Sequence, residues 1–384
     1  MAVAASSHVS DGVDSYETGR SIGRSIAAEI APTLMVYYAT VNHDQAALLR
    51  GLRGALPPTT RVIGCSSQGV TTRGRVMEAG YAAGAMGLAG IDATTAHVER
   101  IDLDTQAKGR ALGTALCAGL HAPPKVVVLF WDPLCGADMD QLLAGLYEQV
   151  GCPIIGGAAG QTHTAMIKTY QAFDDRVFER GAVAMALAGD LTCEMACSAG
   201  TSPVGVEMTV TRAEGNRLLE LDGRPALEVW MEVASSGPPS IDHTAALAIG
   251  VPVGRGSDEY LVRAAFGVDA ERGGVIIQTG LKEGTVVMLH HRTERDILDG
   301  TAAMARDLRA RLGDKAIRAV LGFECGARAS PFLGQDVTVR ENAVLQDVLG
   351  GTTWLGMLAW GELFPLGGRP AFHNYTYPLL VLAD

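Results

Sequence analysis

Residues 33–70 read TLMVYYATVNHDQAALLRGLRGALPPTTRVIGCSSQGV, and their pattern decides the fold. TLMVYYAT (33–40) is a short apolar run of buried-strand type. HDQAALLRGLRGAL (43–56) repeats its leucines at helical spacing. RVIGCSS (61–67) is a second strand. Strand, helix and strand in this order predict a parallel pair joined by a right-handed crossover. The second strand stops on Cys65, Ser66 and Ser67, followed by Gln68 and Gly69. A nucleophile, a metal ligand and the floor of a binding pocket are all compatible with such an ending.

The chain has 384 residues, 48% apolar and 19% charged, which suffices for full cores. At roughly 100–200 residues per domain, two domains are expected. The net charge is −11 and no basic run interrupts it, so a nucleic-acid partner is not expected. The first 30 residues lack a basic start before an apolar core, and no stretch approaches ~18 uncharged apolar residues. A cytoplasmic protein without membrane contact is the expectation. Seven cysteines without a secretion signal predict mostly free thiols.

Alternating strand and helix patterns continue outward from the opening unit. YAAGAMGLAG (81–90) and TTAHVERI (94–101) read as paired strands, KVVVLFWDP (125–133) as a buried strand, and DMDQLLAGLYEQV (138–150) as a helix capped by Asp138. PIIGGAAG (153–160) is a strand ending in a glycine-rich turn, and antiparallel strands follow. Past a turn at Asp222-Gly223 come further strands, helices over 294–312 and 337–349, and two last strands, TWLGMLAWGELF (353–364) and NYTYPLLVLAD (374–384). The fold class is α/β, in the mixed α+β sense, with two tightly packed domains. Each is a mixed parallel/antiparallel sheet covered by helices. A lead-in helix occupies 1–30, the first domain 31–222 and the second 223–384.

Familiar catalytic motifs fail. No Walker loop is present, and GGAAGQT (156–162) lacks the G-x-G-x-x-G spacing. Gly64-Cys65-Ser66-Ser67-Gln68-Gly69 misses the G-x-S-x-G elbow by one residue. Cys193 and Cys197 share a strand face among apolar residues, as core thiols do. His290 and His291 are adjacent in a strand and point to opposite faces, so one metal would not take both. Two junctions remain, Cys65-Ser66-Ser67 and GFECGARAS (322–330). Both are strand carboxyl ends, where α/β sheets bind ligands. Arg328 offers a fork for a carboxylate, and Glu362, His373 and Asn374 lie in AWGELFPLGGRPAFHNYTY (359–377). Cation, anion and amide together suit a zwitterion such as an amino acid. Cys325 is a nucleophile only if a neighbour lowers its pKa, and no base adjoins it in sequence.

These blocks resemble the FIST family, a two-part bacterial sensory module. VIGCSSQGV (62–70), PIIGGAAGQT (153–162), RGAVAMALAG (180–189) and residues 200–230 resemble its N-terminal part. GFECGARAS and GMLAWGELFPLGGRPAFHNYTY (356–377) resemble its C-terminal part. The resemblance implies small-ligand sensing, with amino acids favoured. It places Cys65, Ser66, Ser67, Gly156, Gly157, Cys325, Arg328, Glu362 and Asn374 in the family's blocks as ligand-binding candidates. A branch of the family is similar to haem-binding nitric-oxide sensors that control a histidine kinase or cyclic-di-GMP enzyme. For that reading His373 is the axial candidate, with His163 behind it. Gln68, and LAWGEL (358–363) in place of an aromatic-rich segment, depart from the family pattern. The principal expectation is a ligand-binding sensor acting through a separate partner. The alternative is an enzyme using Cys325 or Cys65 as nucleophile, or Glu362 as acid/base.

Overall fold

The computed structural model describes residues 3–161, 168–234, 246–254, 259–328 and 336–384. The opening unit folds as its pattern predicts. Strand Leu34–Ala39 is buried along its whole length, and strand Arg61–Ser66 pairs with it in parallel from Leu34↔Arg61 to Ala39↔Ser66. The intervening helix Gln45–Gly54 starts at Asp44, whose carboxylate accepts from Ala47 N at 2.9 Å. That bond satisfies one of the orphan donors of the first turn.

The same unit occurs three times. Pro124–Trp131, Met139–Val150 and Ile154–Ala158 repeat it, as do Ile317–Cys325, Val337–Leu349 and Thr353–Ala359. Both further strand pairs are parallel. Each unit is preceded by an edge strand and a helix: Ala4–Ser10 with Ser15–Glu29, Asp92–Glu99 with Thr105–Ala118, and Thr192–Ser198 with Glu294–Leu312. Each is followed by a short hairpin and one more antiparallel strand, which returns to the unit's own sheet.

The hairpins do not return to their own sheets. The hairpin of Val70–Thr72 and Arg75–Met77 extends the third sheet through Val70↔Met357. That of Gln171–Phe173 and Arg176–Phe178 extends the first through Gln171↔Cys65. That of Glu362–Leu366 and Arg369–His373 extends the second through Glu362↔Gly157. The exchange is cyclic, so three six-stranded sheets close a ring. One face of each sheet meets the others in a common axial core. There the equivalent rings Tyr38, Phe130 and Phe323 stack, with centroids 5.4 Å and 6.1 Å apart in turn. Each outer face is covered by a helix pair with its own apolar core. In two pairs a glycine lets backbones touch: a Cβ on Gly51 or Gly145 would lie 2.1 Å from the carbonyl oxygen of Tyr16 or Gln106.

A seven-stranded antiparallel sheet is inserted in the third repeat, between Thr192–Ser198 and helix Glu294–Leu312. Its strand Ser202–Glu214 pairs with both Val286–His291 and Arg217–Leu221, which closes the sheet into a barrel. Trp230 of helix Ala226–Ala234 lies in the core against it.

The mixed α/β class and mixed sheets are as expected, and the two halves are joined more intimately than by side-by-side packing, because they share three sheets, two of the ring and the barrel. Three local expectations fail. The strand expected over 353–364 is broken at Trp360-Gly361 into Thr353–Ala359 and Glu362–Leu366, which lie in different sheets. Ala83–Ala89 and Asp92–Glu99 do not pair: the first joins Ala4–Ser10 and Leu34–Ala39, the second Gly181–Ala188. The chain crosses there from one repeat to the next, through Gly90 at φ 75°. The lead-in before the first helix is an edge strand, half-buried along most of its length, which hid its pattern.

Candidate functional site

All three parallel pairs point their carboxyl ends at one end of the ring. There the turns interlock: Gln68 N donates to Leu358 O (3.1 Å), Trp360 N to Ala158 O (3.3 Å) and Gly160 N to Ser66 O (2.9 Å). Cys65 lies in the axial core at 1% exposure, and burial pushes its thiol well above the usual range. The Ser66 hydroxyl accepts from Tyr170 N (3.0 Å), and that of Ser67 donates to Gly69 O (2.5 Å) and Leu358 O (3.1 Å). Gly156 and Gly157 serve close approach. A Cβ on the first would meet Leu129 O at 2.1 Å, and one on the second would meet the Ala359 Cβ at 2.8 Å. The small polar ending of the Arg61–Ser66 strand therefore stitches repeats together.

The third repeat differs. Glu362 opens the exchanged hairpin and is fully buried. It accepts from Gly361 N (3.1 Å), Thr376 N (3.1 Å) and the Thr376 hydroxyl (3.0 Å). Burial outweighs these bonds and pushes its titration up to about 8, so it carries a proton at neutral pH. Cys325, at the end of strand Ile317–Cys325, hydrogen-bonds to it. Burial, and then the Glu362 carboxyl, push the Cys325 thiol well above its ordinary value.

The barrel covers Cys325. Its small residues Ala248, Val262 and Ala264 pack on Cys325 and Tyr375. Arg292 stacks its guanidinium 3.4 Å from the Tyr375 ring centroid and donates to Ala327 O at 2.9 Å. His290, paired with Ala248, is 2% exposed and bonds through Nδ1 to Thr201 at 3.1 Å, while its Nε2 has no partner. Burial lowers its titration to about 4, so it is neutral. His290 is buried and His291 half-buried, as strand alternation requires.

Arg328 and Asn374 are near this pair with other duties. Arg328 is completely buried and ion-paired to Glu341. It also donates to Tyr375 O (2.7 Å) and the Thr301 hydroxyl (3.2 Å), so its fork is already occupied. Asn374 accepts from Ala264 N (3.0 Å) and donates to Gln278. From there amides run on: Gln278 to Trp360 O (3.1 Å), Trp360 Nε1 to Gln68 Oε1 (2.9 Å), and Gln68 to Gly326 O (3.1 Å). Gln68, a departure from the family pattern, is thus a link between barrel and ring.

The structure brings Cys325 and Glu362 into contact and keeps Cys65, Ser66, Ser67, Gly156 and Gly157 in the turns of the other repeats. His373 is 3% exposed, pairs across the hairpin with Glu362, and its Nε2 meets Phe364 O at 3.1 Å. A ring so enclosed offers no open face to a porphyrin, and the residues there do not fit haem. His163 lies outside the described residues. No group of three or more His, Cys, Asp or Glu side chains suited to a metal occurs among the described residues. All seven cysteines are unpaired. Sequence reasoning did not single out Arg292, Thr376 or Tyr375. Thr376 and Tyr375 lay inside a quoted block, and only the pairing with Glu362 and Arg292 reveals them.

No helix among the described residues is long and apolar enough to cross a membrane. Relatives of similar length include an uncharacterised protein of Mycobacterium tuberculosis, 26% identical over 374 residues and covering 92% of each chain. A second, from Mycobacterium bovis, is 28% identical over 251 residues, 61% of each chain. Among solved structures, cyanuric acid hydrolase from A. caulinodans aligns over 100% of this chain and 99% of its own, at 10% identity and a TM-score of 0.41. The FIST N domain matches residues 33–224 and the FIST C domain residues 226–365. These two matches span the interlocked ring turns and the barrel and end at Pro365, inside the strand that Glu362 opens, and the chain belongs to the FIST family of small-ligand sensory domains.

Proposed function

We propose that the chain is a cytoplasmic sensor that binds an amino acid or other small carboxylate at the seam between barrel and third repeat. It acts in signal transduction through a separate partner, such as a histidine kinase or cyclic-di-GMP enzyme. The observation that carries this reading is the Glu362–Cys325 pair. It is an acid and a thiol, both protonated at neutral pH, the thiol held under an apolar face of the barrel. A nucleophile needs its thiolate, and every influence that dominates here favours the thiol. Binding is therefore favoured over catalysis. The protonated Glu362 can donate to an arriving carboxylate, and it can surrender its proton to face an ammonium group. The amide chain from Asn374 to Gln68 passes any shift of the barrel on to the ring.

The test is a thermal-shift screen against amino acids and small carboxylic acids, with mass spectrometry of each mixture. A ligand that binds only the folded state raises the melting temperature by mass action. A raised midpoint with the compound intact, reduced in Glu362→Gln, is the expected result. Consumption of the compound would overturn the sensor reading in favour of an enzyme.

A further inference from the structure

Arg263 lies on the barrel strand Tyr260–Asp269 and is 3% exposed. Its neighbours fix it against the third repeat: Asn374 N donates to Val262 O (3.0 Å), and Ala264 N donates to Asn374 Oδ1 (3.0 Å). The guanidinium crosses to the Arg369–His373 strand, donates to Phe372 O and sits 5.3 Å from the Phe372 ring centroid. Its Nε–H, buried, has no acceptor. Arg328 has Glu341; among the described residues Arg263 has no carboxylate in contact, and the one that acts on it from a distance is the exposed Asp140. A buried cation without a counter-charge is destabilising, and natural interiors avoid it. One residue beyond Phe372, His373 Nδ1 is also buried and unpartnered.

We propose that Arg263 is the seat of a small monocarboxylate, which accepts from its Nε–H on the Phe372 side of the barrel seam. This rests on the reading of the seam as the ligand site and adds the group that recognises the acid. The charge present limits the ligand. Among the described residues that touch Phe372, Arg263 carries the positive charge, and the adjacent His373 is neutral, so one negative charge is matched and a dianion is not. A ligand seated there joins barrel to ring, because Arg263 belongs to one and Phe372 to the other.

The experiment follows the Nε–H resonance of Arg263 in protein labelled with 15N at arginine, assigned by its loss in Arg263→Lys. Acetate, L-alanine and acetamide are added separately. The carboxylates are expected to shift the resonance saturably, and acetamide to leave it in place. Arg263→Lys keeps the charge and loses the fork. It is expected to weaken carboxylate binding by about 10-fold or more, as loss of one hydrogen bond to a charged group does. A resonance unmoved by the carboxylates, or moved equally by acetamide, overturns the proposal. If a carboxylate raises the melting temperature while the resonance stays put, the seam reading stands and Arg263 is excluded. If the resonance responds while Glu362→Gln leaves the affinity unchanged, Arg263 stands and the Glu362 seam reading falls.

Discussion

Gln171 and Glu362 hold the same place in two copies of one repeat. Each is the first residue of an exchanged hairpin, and each stands opposite a residue of the neighbouring parallel pair, Cys65 or Gly157. Around the first, the hydroxyls of Ser66 and Ser67 are occupied by backbone groups, the Cys65 thiol is sealed in the core, and the buried Gln171 amide has no partner. Around the second, an acid titrates near 8, a thiol hydrogen-bonds to it and a barrel covers the thiol. The strand-end position is thus common to all repeats, and what distinguishes a site is the cover and the charge inserted beneath it. Ring closure needs backbone complementarity, and the third repeat adds to it a buried acid and thiol.

The largest effect that can sharpen this contrast is at Arg328. Its removal in Arg328→Ala leaves Glu341 buried without its cation, and a loss of about 3–5 kcal/mol is expected. The double variant Arg328→Met/Glu341→Met removes both charges at similar volume and is expected to regain most of it. Urea midpoints of both proteins test this. A folded double variant that no longer binds ligand would move Arg328 from closure to recognition and break the distinction drawn above.

Glu362→Gln comes next. The Glu362 carboxyl is raised from 4.5 to about 8 in the folded protein. The folded state therefore holds a proton that the unfolded state releases, and stability falls as pH rises between those values and is level above them. The stability withheld at high pH is on the order of 5 kcal/mol. Glutamine cannot ionise, so the variant should lose this slope and gain most over wild type at about pH 9. Parallel pH profiles in the two proteins would refute the buried-acid assignment.

Much of the fold was legible because local signals agreed with it. Asp44 and Asp138 mark helix starts, and unbroken apolar runs mark the central strands. The exchange of hairpins was not legible, since three-residue strands such as Val70–Thr72 carry too little periodicity to name a partner. The threefold repeat leaves traces that only the structure makes readable: Ile63-Gly64-Cys65-Ser66-Ser67, Ile155-Gly156-Gly157-Ala158-Ala159 and Leu355-Gly356-Met357-Leu358-Ala359 occupy equivalent strand ends. Of the site, Cys325 was legible as a polar residue at a strand end and Glu362 as an acid within a polar C-terminal block. Arg263 was not, because it sits in an ordinary strand pattern and becomes significant only by lacking a counter-charge in space.

The smallest effect expected is at Ser67, and it tests the ring side of the comparison. Ser67→Ala removes the hydroxyl that receives Gly69 N (3.3 Å) and Leu358 N (3.1 Å) and that donates to the carbonyls of the same two residues. Leu358 N keeps Gly69 O as a partner at 3.0 Å, so one buried donor, Gly69 N, is left short. Stability should fall by about 1–3 kcal/mol, the desolvation penalty of one such group, read as a lower thermal midpoint. Ligand affinity should be unchanged, because the hydroxyl belongs to ring closure and the seam lies under the barrel of the third repeat. If affinity fell while the midpoint held, the small polar turn would be a pocket floor after all, and the repeats would differ in degree rather than in kind.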